Sequence, residues 1–408
     1  MPSKTATTDR GRGRYGLAVG AVGLTLGTAI QKLAVLATKA RAGQLGGTET
    51  LGDLTSVLGL AGIVGAVLHF GLPDRAMYAA AAGLAGDDAR PGARHGLFLL
   101  SAAIASAGSL AGAAWMATDP AFGAAIAVGA GAQHAGTLAL VSLRGAGRPR
   151  LEAATLSLTG IALLAGAWLA PSPRILGAIF AVQGLLFVAA TAVVVRIEPA
   201  LRPRLRGARA AIEELQGSLP YFVVGSGGLA LGMSDVLVAR SFLGSGATGE
   251  LECATVALKA GVQVPWLLST VWLRRLHERW RSGEPTPRLG LVATGGGLGV
   301  AAGVAAVLTG PLVAWVFEVP ASVFEDALFR AALLAPPVYG AVLLLPIATA
   351  RAIRATVRVT LAAVGVGVAG AMLGARFGLA GVQVGQTTGY VVLLVGGALA
   401  LREPETPS

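Results

Sequence analysis

Apolar runs of about 20 residues, parted by short basic connections, recur along the whole chain. A run of that length is what one helical crossing of a hydrocarbon core of about 30 Å requires. Of 408 residues, 54% are hydrophobic and 13% charged, where an ordinary soluble domain carries about 25% charged residues. The pattern excludes a secreted, disordered or ordinary soluble protein. A transmembrane barrel does not fit, because its strands are short and alternate in hydrophobicity. Cys253 is the only cysteine, which leaves no intrachain disulfide and no cysteine-based metal site. The net charge of +11 would suggest nucleic acid in a soluble protein. Here the positive charges sit between apolar runs, where they act as topology signals and attract anionic lipid.

Twelve spans are predicted, at 15–36, 51–72, 95–117, 121–143, 152–170, 174–195, 219–242, 249–273, 289–317, 327–350, 355–377 and 379–401. With the N-terminus inside, 24 of the 32 Lys and Arg residues fall on the cytoplasmic side. Six fall outside (Lys39, Arg41, Arg174, Arg240, Arg330 and Arg376), and Lys32 and Lys259 lie within spans. A miscounted helix would scramble this bias, so both termini are expected in the cytoplasm. Trp115, Trp168 and Trp315 fall at predicted outer ends and Trp272 at an inner end, where amphipathic rings sit best. Span 1 is long and is needed for the charge bias, so it is expected to be retained rather than cleaved as a signal peptide.

The expected class is therefore an all-α integral membrane protein in two six-helix lobes. A tail (1–14) precedes an N-lobe (15–197), a basic linker (198–218) carries an amphipathic stretch at 205–215, and a C-lobe (219–401) ends in a second tail (402–408). The lobes resemble each other weakly. QKLAVLATKARAG at 31–43 matches SDVLVARSFLG at 234–244, an alignment in which Lys32 faces Asp235. A parallel repeat of this kind puts a substrate path between the lobes. Glycines throughout, as in spans 1 and 9, are expected to allow close helix packing. Pro336, Pro337 and Pro346 are expected to break the hydrogen-bond ladder of span 10, a break that neighbouring helices or a water-filled cavity can compensate, and Pro265 to kink span 8 likewise.

Ionisable groups at membrane depth are costly and so point to function. Asp235 and Lys259 are the first candidates, since neither can snorkel easily to an interface. The competing reading for Asp235 is a structural ion pair with Lys32 or Lys259. Lys32 is placed between cavity and interface. Asp53 and Glu252 begin their spans, where a carboxylate also suits the helix dipole. Glu252 and Lys259, seven apart, share a helix face. His134 reads equally as a packed histidine or a proton relay. Arg144, Arg148, Arg150, Arg351 and Arg354 could capture phosphate at the cytoplasmic mouth, or could simply follow the positive-inside rule. No P-loop or HExxH motif is present, so an ATPase and a metalloprotease are not expected, and neither is any cofactor.

Several segments resemble a known family. Residues 37–75 read ATKARAGQLGGTETLGDLTSVLGLAGIVGAVLHFGLPDR, and 234–261 read SDVLVARSFLGSGATGELECATVALKAG. With LRGAGRPR at 143–150 and RFGLAGVQVGQTTGY at 376–390, they stand in the order found in polysaccharide-export flippases. These belong to the multidrug/oligosaccharidyl-lipid/polysaccharide (MOP) exporter superfamily. The resemblance implies a V-shaped pair of six-helix lobes in the bacterial inner membrane. It implies movement of a polyprenyl-pyrophosphate-linked oligosaccharide, such as an O-antigen or capsular repeat, from inner to outer leaflet. H⁺ or Na⁺ would be the coupling ion, and a polysaccharide polymerase or glycosyltransferases would be partners. The family's cavities are expected to carry several cations, and this chain has two within its spans. Gln31, Gln133, Gln263, Gln383, Gln386 and Tyr390 could meet sugar. The nearest rival is a cation-coupled multidrug exporter of the same superfamily, and cavity-facing lysines would count against it. A membrane enzyme of cell-envelope synthesis is the third reading.

Overall fold

The computed structural model describes residues 6–71, 75, 108–113, 115–145, 149–197 and 208–402. Among them every regular element is helical. In chain order these are α1 (Ala6–His69), α2 (Pro120–Gly145), α3 (Pro149–Leu169), α4 (Pro173–Ile197), α5 (Ala208–Gly261), α6 (Gln263–Arg281), α7 (Arg288–Phe317), α8 (Ala321–Arg351) and α9 (Ile353–Gly374). A single 3-10 turn, Ala375–Phe377, then leads into α10 (Gly378–Ala400). Predicted span 3 lies mostly outside the described residues, as does the linker up to 207. From Ala208 onward the linker's amphipathic stretch is helical and continuous with α5.

Seven stretches among the described residues are long and apolar enough to cross a membrane. Three of them, at 42, 67 and 48 residues, far exceed the roughly 20 that one crossing needs. All three are broken where the sequence places a boundary between spans. In α1 the break is Gly46–Gly47, in α5 it is Gly244, and before α10 it is the turn ending at Gly378. Gly47 has φ of 64° and Gly244 of 92°, conformations that a side chain would strain.

The two breaks also fix the register of the repeat. Matching Gly47 to Gly244 pairs Gly52 with Gly249, and the structure brings these together reciprocally. A Cβ on Gly52 would overlap the Ser245 carbonyl, and one on Gly249 would overlap the Thr48 carbonyl. This corrects the alignment read from the sequence. In the register of the breaks Asp235 matches Thr38, not Lys32, because the low-complexity apolar flanks align equally well in several frames.

Helices α1 to α4 pack on one another, with α1 against α3 and α2 against α4. Helices α5 to α10 form a second packed group, in which α7 lies on α8 and α9 on α10. The groups meet mainly where α1 runs against α5. Small residues allow this closeness. Gly295, Gly299 and Gly303 of α7 lie against Gly340, Pro336 and Ala332 of α8, a four-residue spacing that brings two helix backbones together. Helix α8 continues through Pro336, Pro337 and Pro346, which remove donors from its ladder without ending it, and Gly299 of α7 packs against the first of them. Pro265 cannot donate to the Gly261 carbonyl, and the helical hydrogen-bond pattern lapses for one residue between Gly261 and Gln263, while Val262 keeps a right-handed helical backbone and its amide donates to the Leu258 carbonyl at 3.0 Å. Large apolar side chains point outward, among them Trp168 and Leu169 on α3, Leu308 and Trp315 on α7, and Phe377. An exposed apolar surface of that extent suits a lipid solvent.

Candidate functional site

A cavity of about 1200 Å³ opens between α1 and helices α5, α6, α8 and α10. Its wall follows from helical periodicity. On α1, Thr28, Lys32, Val35 and Lys39 recur at three- and four-residue steps and share one face. Beyond the Gly244 break, Glu252, Val256 and Lys259 of α5 do the same. Helix α8 contributes Val338 and Tyr339, α10 contributes Gln383, Gln386 and Tyr390, and α6 contributes Trp266. Apolar residues predominate, with a few polar groups among them, the usual make-up of a small-molecule site.

Four charged side chains form a chain along this wall. Asp235 Oδ2 lies 3.6 Å from Lys259 Nζ, and Lys259 Nζ lies 3.1 Å from Glu252 Oε2. The other Glu252 oxygen accepts from Lys39 Nζ at 2.6 Å. The carboxylates are nearly sealed, with side-chain exposures of 4% for Asp235 and 1% for Glu252, while Lys259 keeps 28%. Asp235 Oδ1 also accepts from the Val236 amide at 2.8 Å. The alternation of signs cancels charge within the row, as buried ions require. Lys32 differs. It is exposed to the cavity and has no hydrogen bond or ion pair among the described residues. The charged lining is thus three lysines against two carboxylates.

The helix holding Lys259 ends one turn later, at the interruption before Pro265. Tyr339 closes that gap. Its hydroxyl donates to the Leu258 carbonyl at 2.8 Å, and it sits where a Cβ on Gly261 would have to be.

The remaining sequence candidates are placed elsewhere. Asp53 is buried and does not line the cavity. Its Oδ1 lies 3.2 Å from Arg240 Nη2, and its Oδ2 accepts from the amide and hydroxyl of Thr118. Arg240 Nε in turn donates to the Met116 carbonyl at 2.8 Å. The carboxylate expected to suit a helix start is therefore a cross-link between α1, α5 and the turn before α2. Glu252 likewise stands eight residues past its break and serves as an ion-pair partner rather than a dipole partner. His134 lies outside the cavity lining, its ring packed against Gly65 of α1. Of the cytoplasmic arginines, Arg148 lies outside the described residues and Arg144 is described only in its backbone. Arg150 and Arg354 are exposed, and the Arg351 guanidinium stacks 5.1 Å from the Trp280 ring centre. None of these three borders the cavity. Gln263, Gln383, Gln386 and Tyr390 do border it, whereas Gln133 is bonded to Gln183 at 2.6 Å.

Sequence reasoning missed Lys39 and Arg240, both counted as loop charges. Lys39 carried a usable signal, because it stands seven residues from Lys32 and hence on the same helix face.

This architecture has known counterparts. The chain matches a MOP superfamily transporter from Pyrococcus furiosus at 16% identity and a TM-score of 0.64, over 95% of this chain and 94% of that one. That transporter is described as having a binding pocket of reversed polarity that suggests a different function. It also matches a eukaryotic MATE transporter at 14% identity and 0.65, over 94% and 96%. A multidrug resistance MATE transporter in an outward-facing conformation matches at 16% and 0.64, over 95% and 96%. The chain has the fold of the MOP superfamily transporters. No protein-family model matches the sequence, and no curated relative does either.

Proposed function

We propose that this protein is an alternating-access exporter of an amphipathic anion, of the chemical class of polyprenyl-pyrophosphate-linked oligosaccharides. The observation that carries this reading is Lys32, a cation with no carboxylate partner among the described residues, on the wall of a largely apolar cavity. A phosphate held there would satisfy a charge that the protein leaves open, while the apolar wall would take hydrocarbon. The fold supports the transport role, and the reversed pocket polarity described for the archaeal neighbour is in keeping with an anionic cargo.

In this reading α1, α5 with α6, and the stretch through α9 and α10 supply two crossings each, which with span 3, α2, α3, α4, α7 and α8 makes twelve in two lobes (15–197 and 219–401) that rock about a V-shaped cavity. Both termini lie in the cytoplasm, and cargo moves from inner to outer leaflet of a bacterial inner membrane. The protein acts by binding and conformational change, with no catalytic residue. Arg150, Arg351 and Arg354 face the leaflet from which the headgroup enters. A polysaccharide polymerase or glycosyltransferases would supply or consume the cargo.

The second reading is a cation-coupled multidrug exporter. It is favoured by the multidrug MATE neighbour and by the carboxylates Asp235 and Glu252. The two are separated in proteoliposomes containing the purified protein. Flipping of a polyprenyl-pyrophosphate sugar that needs Lys32 upholds the anion reading. Movement of a cationic dye instead, lost in Asp235→Asn, replaces it with the second.

A further inference from the structure

Two acidic side chains on one cavity wall face a single ammonium. Lys259 Nζ stands 3.1 Å from Glu252 Oε2 and 3.6 Å from Asp235 Oδ2. Its stem rises from the last turn of α5 and runs back toward the N-terminal end of that helix, the direction helical side chains take, to reach Glu252 two turns earlier. The carboxylates come from the two sides of the Gly244 break, Asp235 before it and Glu252 after it. Lysine 39 takes only the far oxygen of Glu252. Lys32 on α1, Tyr339 on α8 and Tyr390 on α10 face the same cavity. Two carboxylates sealed to 4% and 1% exposure cannot both stay charged in a low-dielectric wall unless cations balance them.

We propose that Lys259 is a tethered counter-cation: its ammonium fills a two-carboxylate position that would otherwise take up a free monovalent cation. The wild-type protein then binds no sodium at this position. Its attraction for an anionic cargo rests on Lys32, because Lys259 and Lys39 are already balanced. The inference deepens the function proposed above, as it concerns the same cavity. It also yields a gain of property. Methionine is unbranched like lysine but one atom shorter and uncharged, so Lys259→Met keeps the stem, removes the ammonium and leaves the position between Asp235 and Glu252 open.

The test is the thermal melt of the purified, detergent-solubilised full chain, in sodium chloride or choline chloride at equal ionic strength and pH. The wild type is expected to melt at the same temperature in both. Lys259→Met is expected to melt about 3 °C higher in sodium than in choline, the size of shift that a site filled well above its dissociation constant gives. Lys259→Arg, which keeps a cation, should behave as wild type, and Lys259→Met with Glu252→Gln should lose the sodium response. If Lys259→Met yields folded protein only in sodium, the proposal is upheld. Sodium stabilisation of the wild type overturns it, as does a Lys259→Met variant that ignores sodium or fails to fold in either salt. None of these readings uses a transported substrate. A protein that flips no lipid-linked sugar would therefore end the anion-exporter reading and leave this one standing.

Discussion

Lys39 and Glu252 join the first helix to the fifth through a 2.6 Å contact, and Arg240 and Asp53 join the same two helices in the opposite sense at 3.2 Å. In each pair a basic residue before one break meets an acidic residue after the other. The pairs are thus near-reciprocal partners across the repeat, one on the cavity wall and one outside its lining.

The Lys39 pair should show strong coupling. Lys39→Ala strips Glu252 of one of its two cations, and removing one partner of a buried pair costs about 3–5 kcal/mol at full burial. Lys39 is 18% exposed, so a loss in the lower part of that range, about 3 kcal/mol, is expected. Glu252→Gln on the same background should recover part of it. Thermal unfolding of the two single variants and the double variant measures the coupling, and strict additivity would contradict the pairing.

Lys32 should behave in the opposite way. Among the described residues it has no partner to lose, so Lys32→Ala is expected to leave the stability within the scatter of ordinary surface changes, about 0.5 kcal/mol. Flipping of a pyrophosphate-linked sugar should nevertheless fall at least about tenfold, the equivalent of 1.4 kcal/mol of lost charge-assisted binding. Activity and stability are measured on the same preparation, and a parallel fall in both would assign Lys32 a structural role.

The turn before α2 offers a pH test. Asp119 Oδ1 accepts from the amides of Ala121 and Phe122 at 3.0 and 3.4 Å, capping the helix that opens with Pro120. Its Oδ2 accepts from Arg174 at 2.7 Å. The Arg174 hydrogen bond, helped by the amides, holds the Asp119 carboxyl below its usual range. A depressed carboxyl contributes stability above its unfolded pKa and loses it as pH falls through the folded value. The wild type should therefore be more stable than Asp119→Asn at neutral pH. The gap should close in acid below the ordinary carboxylate range. High salt should narrow it, because Arg174 is exposed. A gap that is flat with pH would mean that the carboxylate charge contributes nothing.

Gly249 allows no side chain. With its Cβ direction blocked by the Thr48 carbonyl, Gly249→Ala must push two backbones apart. A cost of about 1–3 kcal/mol and a lower yield of folded protein are expected. Gly290 has open space around it, and Gly290→Ala should be tolerated. Equal tolerance of both substitutions would refute the close crossing.

Much of the fold was legible because each apolar run and each basic connection acts locally. The predicted 289–317 and 379–401 spans fall within a residue of α7 and α10. The proline effect at 265 was legible for the same reason, since a missing N–H acts on its own helix. The close pairing of α8 with α7 was not, because the glycines that meet Pro336 and Gly340 belong to another segment of the chain. The site divides along the same line. Asp235, Glu252 and Lys259 could be found from depth and spacing within one segment. The ion pairs of Lys39 and Arg240 could not, because their carboxylates lie 213 and 187 positions away along the chain and only the meeting of α1 with α5 brings them into range.

The crossing of Gly52 and Gly249 has a mechanical consequence. Where two backbones touch with no side chains between them, the helices can turn about the contact but cannot slide through it. Such a point is a fulcrum. Lys32 and Lys39 on α1 and Asp235 on α5 lie on the other side of the breaks from this contact, so the crossing anchors the two helices beyond the breaks and leaves the breaks themselves as the places where the angle of the charged segments can change.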